Sequence, residues 1–87
     1  GVGLGDKFLR HVERCKILVH LIDISNENIL ENYLKIRKEL SKYSKNLIKK
    51  KEIVVFNKID IVNDYALNEK VNFLKKKVKK IFTKYLY

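Results

Sequence analysis

Asn57, Lys58, Ile59 and Asp60 follow directly on the apolar run Glu52 to Phe56, and their types suit the recognition of a purine. A carboxylate such as Asp60 can accept two parallel hydrogen bonds, one from a ring N–H and one from the amino group beside it. Guanine offers that pair of donors and adenine does not. Hydrogen bonds to a charged acceptor are worth about 1.5–3 kcal/mol each. A base that leaves the carboxylate unpaired is rejected at a similar cost. Lys58 can lay its aliphatic stem along a purine face, and Asn57 can bridge base and backbone. The string N-K-x-D is short enough to arise by chance, so a solvated polar turn in which Asp60 is only a cap stands as the alternative.

The other candidates are weaker. Asp23, Ile24, Ser25 and Asn26 form a second polar loop after an apolar run, and Asp23 reads as a cap for the turn to Ser25 rather than as a base. His11 and His20 have neither the spacing of a metal pair nor a nucleophile nearby, which makes them packed or solvated side chains. No Ser, His and Asp arrangement suggests covalent catalysis, and no residues are assigned as catalytic or metal-binding. The single cysteine, Cys15, excludes an internal disulfide and has no partner at zinc spacing. It reads as a small packing residue near the end of the first helix, in a reducing cytoplasm.

Five elements must position the N-K-x-D loop. Residues 6–14 place Phe8, Leu9 and Val12 on one side of a short helix, with Asp6 as its N-cap. Residues 16–23 are an apolar run of strand length that suits burial on both faces. Residues 28–46 set Tyr33, Ile36, Leu40, Tyr43 and the following Leu47 at spacings of three and four, a helical face that Ser25 or Asn26 can cap. Residues 52–57 form the second strand, entered through an exposed turn at Lys49 to Lys51. Residues 66–85 put Leu67, Val71, Leu74, Val78, Ile81 and Tyr85 on the face of a last helix. Strand, helix, strand, helix predicts an α/β fold with a parallel sheet. In such sheets ligands bind beyond the carboxyl ends of the strands, which is where both polar loops lie. Both strands read as central, so the sheet is expected to be incomplete without strands beyond these residues.

Twenty Lys and Arg against ten Asp and Glu give a net charge of +10, which attracts anions such as RNA or nucleotide phosphates. The lysines of the last helix, Lys70, Lys75, Lys76, Lys77, Lys79, Lys80 and Lys84, read first as a solvated face. Arginine and surface aromatics, which give RNA readers their stacking and forked contacts, are nearly missing there. No run of about eighteen apolar residues exists that would cross a membrane.

The stretch GVGLGDKFLRHVERCKILVHLID resembles the part of Obg-family GTPases that runs from the end of the second switch into the next strand. NYLKIRKELSKYSKNLIKKKEIVVFNKID resembles that family's next helix, strand and guanine loop. The likeness covers residues 1–60, with the last helix agreeing in pattern only, and GLGxxFLRHxER is a specific motif. It implies an incomplete P-loop NTPase fold, a doubly wound parallel sheet of which residues 1–87 are a helix-strand-helix-strand-helix part of the GTP-binding domain. It also implies that Asn57, Lys58 and Asp60 bind GTP or GDP, and that Gly1, Gly3 and Gly5 belong to the switch that senses the γ-phosphate. The intact protein is then a cytoplasmic GTPase, with Mg2+ held by ligands outside this stretch, acting in assembly of the large ribosomal subunit or on its rRNA. The sequence departs from the family in having no GxxxxGK[ST] phosphate loop, switch threonine or DxxG. The serine-alanine base loop, expected just after Tyr87, is missing too. A part truncated at both sides, inactive alone, fits these departures. A non-catalytic basic RNA- or ribosome-binding module and an inactive gene fragment are the alternatives.

Overall fold

The computed structural model describes residues 4–78 and 82–86. In chain order these form α1 (Asp6–Glu13), β1 (Ile17–Asp23), α2 (Ile29–Tyr43), α3 (Lys45–Lys49), β2 (Lys51–Asn57), a 3-10 turn (Ile59–Ile61), α4 (Asp64–Lys77) and β3 (Phe82–Tyr85). The strands make one parallel sheet in the order β1-β2-β3, with Ile17 beside Lys51 and Asp23 beside Asn57. Both polar loops therefore leave the same end of adjacent strands.

Parallel neighbours need a crossover, and crossovers of this kind are right-handed. Stepping twice in one direction along the sheet thus puts both crossovers on one face. The strand residues alternate accordingly. Leu18, Ile22, Glu52, Val54 and Phe56 are buried against the helices, while Ile17, Val19, Leu21 and Phe82 are exposed on the other face. The run at 16–23 suits burial on both faces, and among the described residues one face of β1 is covered while Ile17, Val19 and Leu21 stay open, as fits a sheet expected to be incomplete.

Two apolar clusters hold the layers together. Ile22, Ile24, Val54 and Phe56 pack with Ile29 and Tyr33 of α2 and Val71 and Leu74 of α4, beneath the loop-bearing end of the sheet. Leu9, Leu18, Leu40 and Leu47 join α1, β1, α2 and α3. Each fully buried side chain of this kind contributes about 1.5–3 kcal/mol.

The last helix ends sooner than its periodicity predicts. α4 stops at Lys77, Val78 is extended, and Phe82–Tyr85 is a strand rather than helix. The β-favouring types Phe82, Thr83 and Tyr85 take the open edge of β2. The Leu86 amide donates to the Phe56 carbonyl at 2.8 Å, and Tyr85 stacks on Phe56. The element order is thus the expected helix-strand-helix-strand-helix with α3 added before β2 and one further strand at the end. Lys79, Lys80 and Ile81, assigned to the helix from the sequence, lie outside the described residues.

Smaller departures have local causes. The helix predicted over 28–46 breaks at Ser44, which is extended and whose hydroxyl accepts the Asn46 amide at 3.2 Å to start α3. Leu47 reaches the core through that break. Asn28, not Ser25 or Asn26, occupies the N-cap of α2. Gly5, not Asp6, is the N-cap of α1, with φ of 84° and ψ of 144°, a conformation suited to glycine. Cys15 is exposed just past α1 rather than packed.

Candidate functional site

The N-K-x-D loop starts where β2 ends. Asn57 is half-buried, and its side-chain oxygen turns back to accept the Lys58 amide at 2.9 Å. Its backbone carbonyl accepts the Ile24 amide from the neighbouring loop at 3.2 Å. Lys58 has φ of 60° and ψ of 37°, and among the described residues it is the one non-glycine residue with positive φ. For a side-chain-bearing residue that left-handed conformation costs roughly 1–2 kcal/mol. Strain of this kind persists where the surrounding structure enforces it, and it concentrates at ligand clamps and switches. Asp60 follows in the exposed 3-10 turn, closed by the Ile61 amide on the Lys58 carbonyl at 3.2 Å. Among the described residues no salt bridge engages Asp60, so its carboxylate is available to a ligand.

The second polar loop braces the first. The Lys58 ammonium reaches Asp23 Oδ2 at 3.0 Å, so the lysine stem spans the gap between the ends of β2 and β1. Asp23 Oδ1 accepts the Ser25 hydroxyl at 2.6 Å and the Ser25 amide at 3.0 Å, the turn-capping role expected of it. The side-chain bonds from Ser25 and then from Lys58 hold the Asp23 carboxyl down to about 2. It is therefore ionised throughout the neutral range. Its contribution is complete above the ordinary Asp value and is lost only as the pH falls through about 2.

The left-handed backbone separates two roles of Lys58. Lys58→Gly relieves the strain but gives up the Asp23 contact and adds chain entropy. Stability in chemical denaturation is expected to change by less than about 1 kcal/mol. On the expectation that this loop binds guanine, nucleotide affinity should nevertheless fall, because the stem is gone. Equal losses of stability and affinity would mark Lys58 as a purely structural residue.

A second polar cluster, missed from the sequence, lies inside the fold. Glu52 is buried and accepts from the Tyr33 hydroxyl. Its other oxygen lies 3.4 Å from Arg37 Nη1 and 3.5 Å from His20 Nδ1. Arg37 also donates to the Ile48 carbonyl at 2.9 Å, and His20 stacks on Tyr33 with ring centroids 4.9 Å apart. Burial alone would raise the Glu52 carboxyl, but bonds from His20 and Tyr33 and the Arg37 charge hold it below its ordinary value. The same burial, with the bond to Glu52, pushes the Tyr33 phenol up. His20 is thus a packed residue, as its place in β1 suggests. The cluster had a signal in the sequence: Glu52 shares strand parity with Val54 and Phe56, and Tyr33 and Arg37 stand one helical turn apart.

The remaining expected site residues divide. Gly5 opens α1, while Gly1 and Gly3 lie outside the described residues. The described residues contain no group of three or more His, Cys, Asp and Glu side chains that could hold a metal ion. No described helix is long and apolar enough to cross a membrane. α4 carries more surface aromatic area than its sequence suggests, since Tyr65 is 75% and Phe73 47% exposed.

No protein-family model matches the chain. Among curated proteins it is similar to several named GTPase Obg. It is 51% identical over 74 residues to that of the Wolbachia of Brugia malayi, covering 85% of this chain and 22% of the relative. The Obg of Pelagibacter ubique is 49% identical over 84 residues, or 95% of this chain and 26% of the relative. That of Orientia tsutsugamushi (strain Boryong) is 54% identical over 71 residues, or 82% and 22%. The chain thus spans about a quarter of the length of the curated relatives it matches. With about half of its residues shared across most of its length, and with the α/β sheet expected of a GTPase, the chain belongs over that stretch to the Obg GTPase family.

Proposed function

We propose that these residues supply guanine recognition to an Obg-type GTP-hydrolysing switch. The observation that carries the proposal is the strained Lys58, held left-handed at the carboxyl end of the central strand between Asn57 and the exposed Asp60. In this reading Asp60 accepts the ring N–H and the amino group of guanine. The Lys58 stem, stretched toward Asp23, lies along the purine face, and Asn57 ties base to backbone. Residues 1–87 then run from the end of the second switch through the elements that follow the base loop.

The switch assignment rests on Gly1, Gly3 and Gly5. Gly5, at φ of 84°, supplies a hinge that other residues adopt only with strain. GTP holds such a loop in one arrangement and hydrolysis releases it. That change would alter affinity for a partner, which we place at the large ribosomal subunit. Mg2+ and the phosphate-cleaving groups are assigned to residues outside this stretch, and the protein is placed in the cytoplasm.

Base discrimination tests the proposal. In the full-length protein, GTP and GDP should displace a fluorescent GDP analogue at concentrations at least 100-fold below ATP, an order of magnitude set by two charge-assisted hydrogen bonds. The preference should persist in added salt, whereas binding by lysines alone weakens steeply. Equal displacement by ATP would remove the assignment of the loop.

A further inference from the structure

The lysines of α4 look interchangeable in the sequence, but Lys70 stands apart. It is half-buried, and its ammonium donates to the Ile24 carbonyl at 2.8 Å and the Asn26 carbonyl at 3.2 Å. By contrast Lys75, Lys76 and Lys77 are exposed, and the Lys77 ammonium lies over the Phe73 ring. The loop that Lys70 holds is also the one attached to the base loop. Its Ile24 amide donates to the Asn57 carbonyl, and its Asp23 carboxylate holds the Lys58 ammonium. The chain of contacts thus runs from α4 through the β1–α2 loop to two of the base-reading residues.

We propose that Lys70 is a positioning residue for the guanine loop. It acts through the β1–α2 loop and touches no nucleotide. The Ile24 side chain, fully buried, anchors the loop in depth but does not itself engage the Ile24 and Asn26 carbonyls. Two hydrogen bonds from one ammonium set the Ile24 and Asn26 carbonyls toward α4. Such charge-assisted bonds are about twice as strong as neutral ones. With the Ile24 carbonyl held, its amide stays on Asn57 and Asp23 keeps its reach to Lys58. An ammonium, with three donors on a flexible stem, can serve two carbonyls that face it from different angles; a planar guanidinium is less suited.

The inference rests on the reading of the base loop as a guanine site, and the test separates the two. Lys70→Met and the surface control Lys76→Met are compared in the full-length protein, with Asp60→Asn in parallel. In Lys70→Met, hydrogen exchange of the Ile24 amide should accelerate by about tenfold and GDP affinity should fall by a similar factor, the scale of one lost bond to a charged group. The Asp23 carboxyl should titrate closer to its ordinary range, a change that loss of helix packing alone would not produce. Lys76→Met should leave all three unchanged. Unaltered Ile24 exchange overturns the inference. So does faster exchange with unaltered GDP affinity in a protein whose Asp60→Asn variant switches base preference. If Asp60→Asn keeps its preference, the guanine reading fails, and Ile24 exchange with Asp23 titration alone decide the Lys70 contact. The wild type offers a check that needs no folded variant: the Lys70 ammonium should give a long-lived proton signal apart from the averaged lysines, and its absence overturns the proposal.

Discussion

Glu52→Ala should lower the stability of the protein by about 3 kcal/mol, the low end of the cost of removing one partner from a buried ion pair. The carboxylate is nearly closed off from solvent and serves Tyr33, Arg37 and His20 together. Without it, the phenol loses its acceptor and the guanidinium keeps only the Ile48 carbonyl, where little water can replace the carboxylate, and α2 loses its polar tie to the sheet. Part of the loss is avoidable. Glu52→Leu combined with Arg37→Met removes both charges and should be less destabilised than Glu52→Ala, since an apolar pair needs no partners. Acid should act in the same direction. The folded carboxyl lies below its ordinary value, so its contribution is complete above the usual Glu range and is lost as the pH falls through the lowered one. Denaturant titrations of both variants at neutral pH measure the effect. A loss below about 1 kcal/mol for Glu52→Ala would mean that water or rearrangement satisfies the cluster.

The second large effect is on the ligand rather than on the fold. Asp60→Asn should weaken GTP binding on the order of 100-fold or more, because it replaces an acceptor oxygen with a donor facing the donors of guanine. Asp60 is exposed and, among the described residues, free of salt bridges, so the substitution should change stability little. Were Asp60 only a cap, the change would appear in stability instead, and losing a cap altogether costs about 0.5–2 kcal/mol. Titration of fluorescent GDP with GTP on wild type and variant, alongside thermal unfolding of both, distinguishes the two.

Much of this arrangement is legible in the sequence, and the exceptions have physical causes. β1 and β2 are apolar runs of strand length, and parallel pairing brings the loop at Asp23 beside the loop at Asn57. β3 is hidden because Ile81 and Tyr85 continue the helical spacing of Val71, Leu74 and Val78; what decides is the unpaired edge of β2, a tertiary fact. The break at Ser44 is hidden in the same way, since Leu47 keeps the helical period across it. Glu52 reads as the polar start of a strand until its inward parity is counted. Lys70 is the least legible. It sits among many lysines, and the carbonyls it holds lie 44 and 46 positions earlier. The left-handed Lys58 has no local signal at all, because lysine does not favour that conformation.

The central claim is that Asp60 reads the guanine edge, and the most direct test is a gain rather than a loss. Xanthine carries a carbonyl where guanine carries its amino group, and that acceptor can pair with the new donor of Asp60→Asn. Competition of GTP, ATP and xanthosine triphosphate for the full-length wild type and the Asp60→Asn variant is therefore the decisive measurement. The variant is expected to lose GTP and bind xanthosine triphosphate in its place, an exchange that a damaged fold cannot produce. A variant that keeps the wild-type order of bases would contradict the assignment of Asp60.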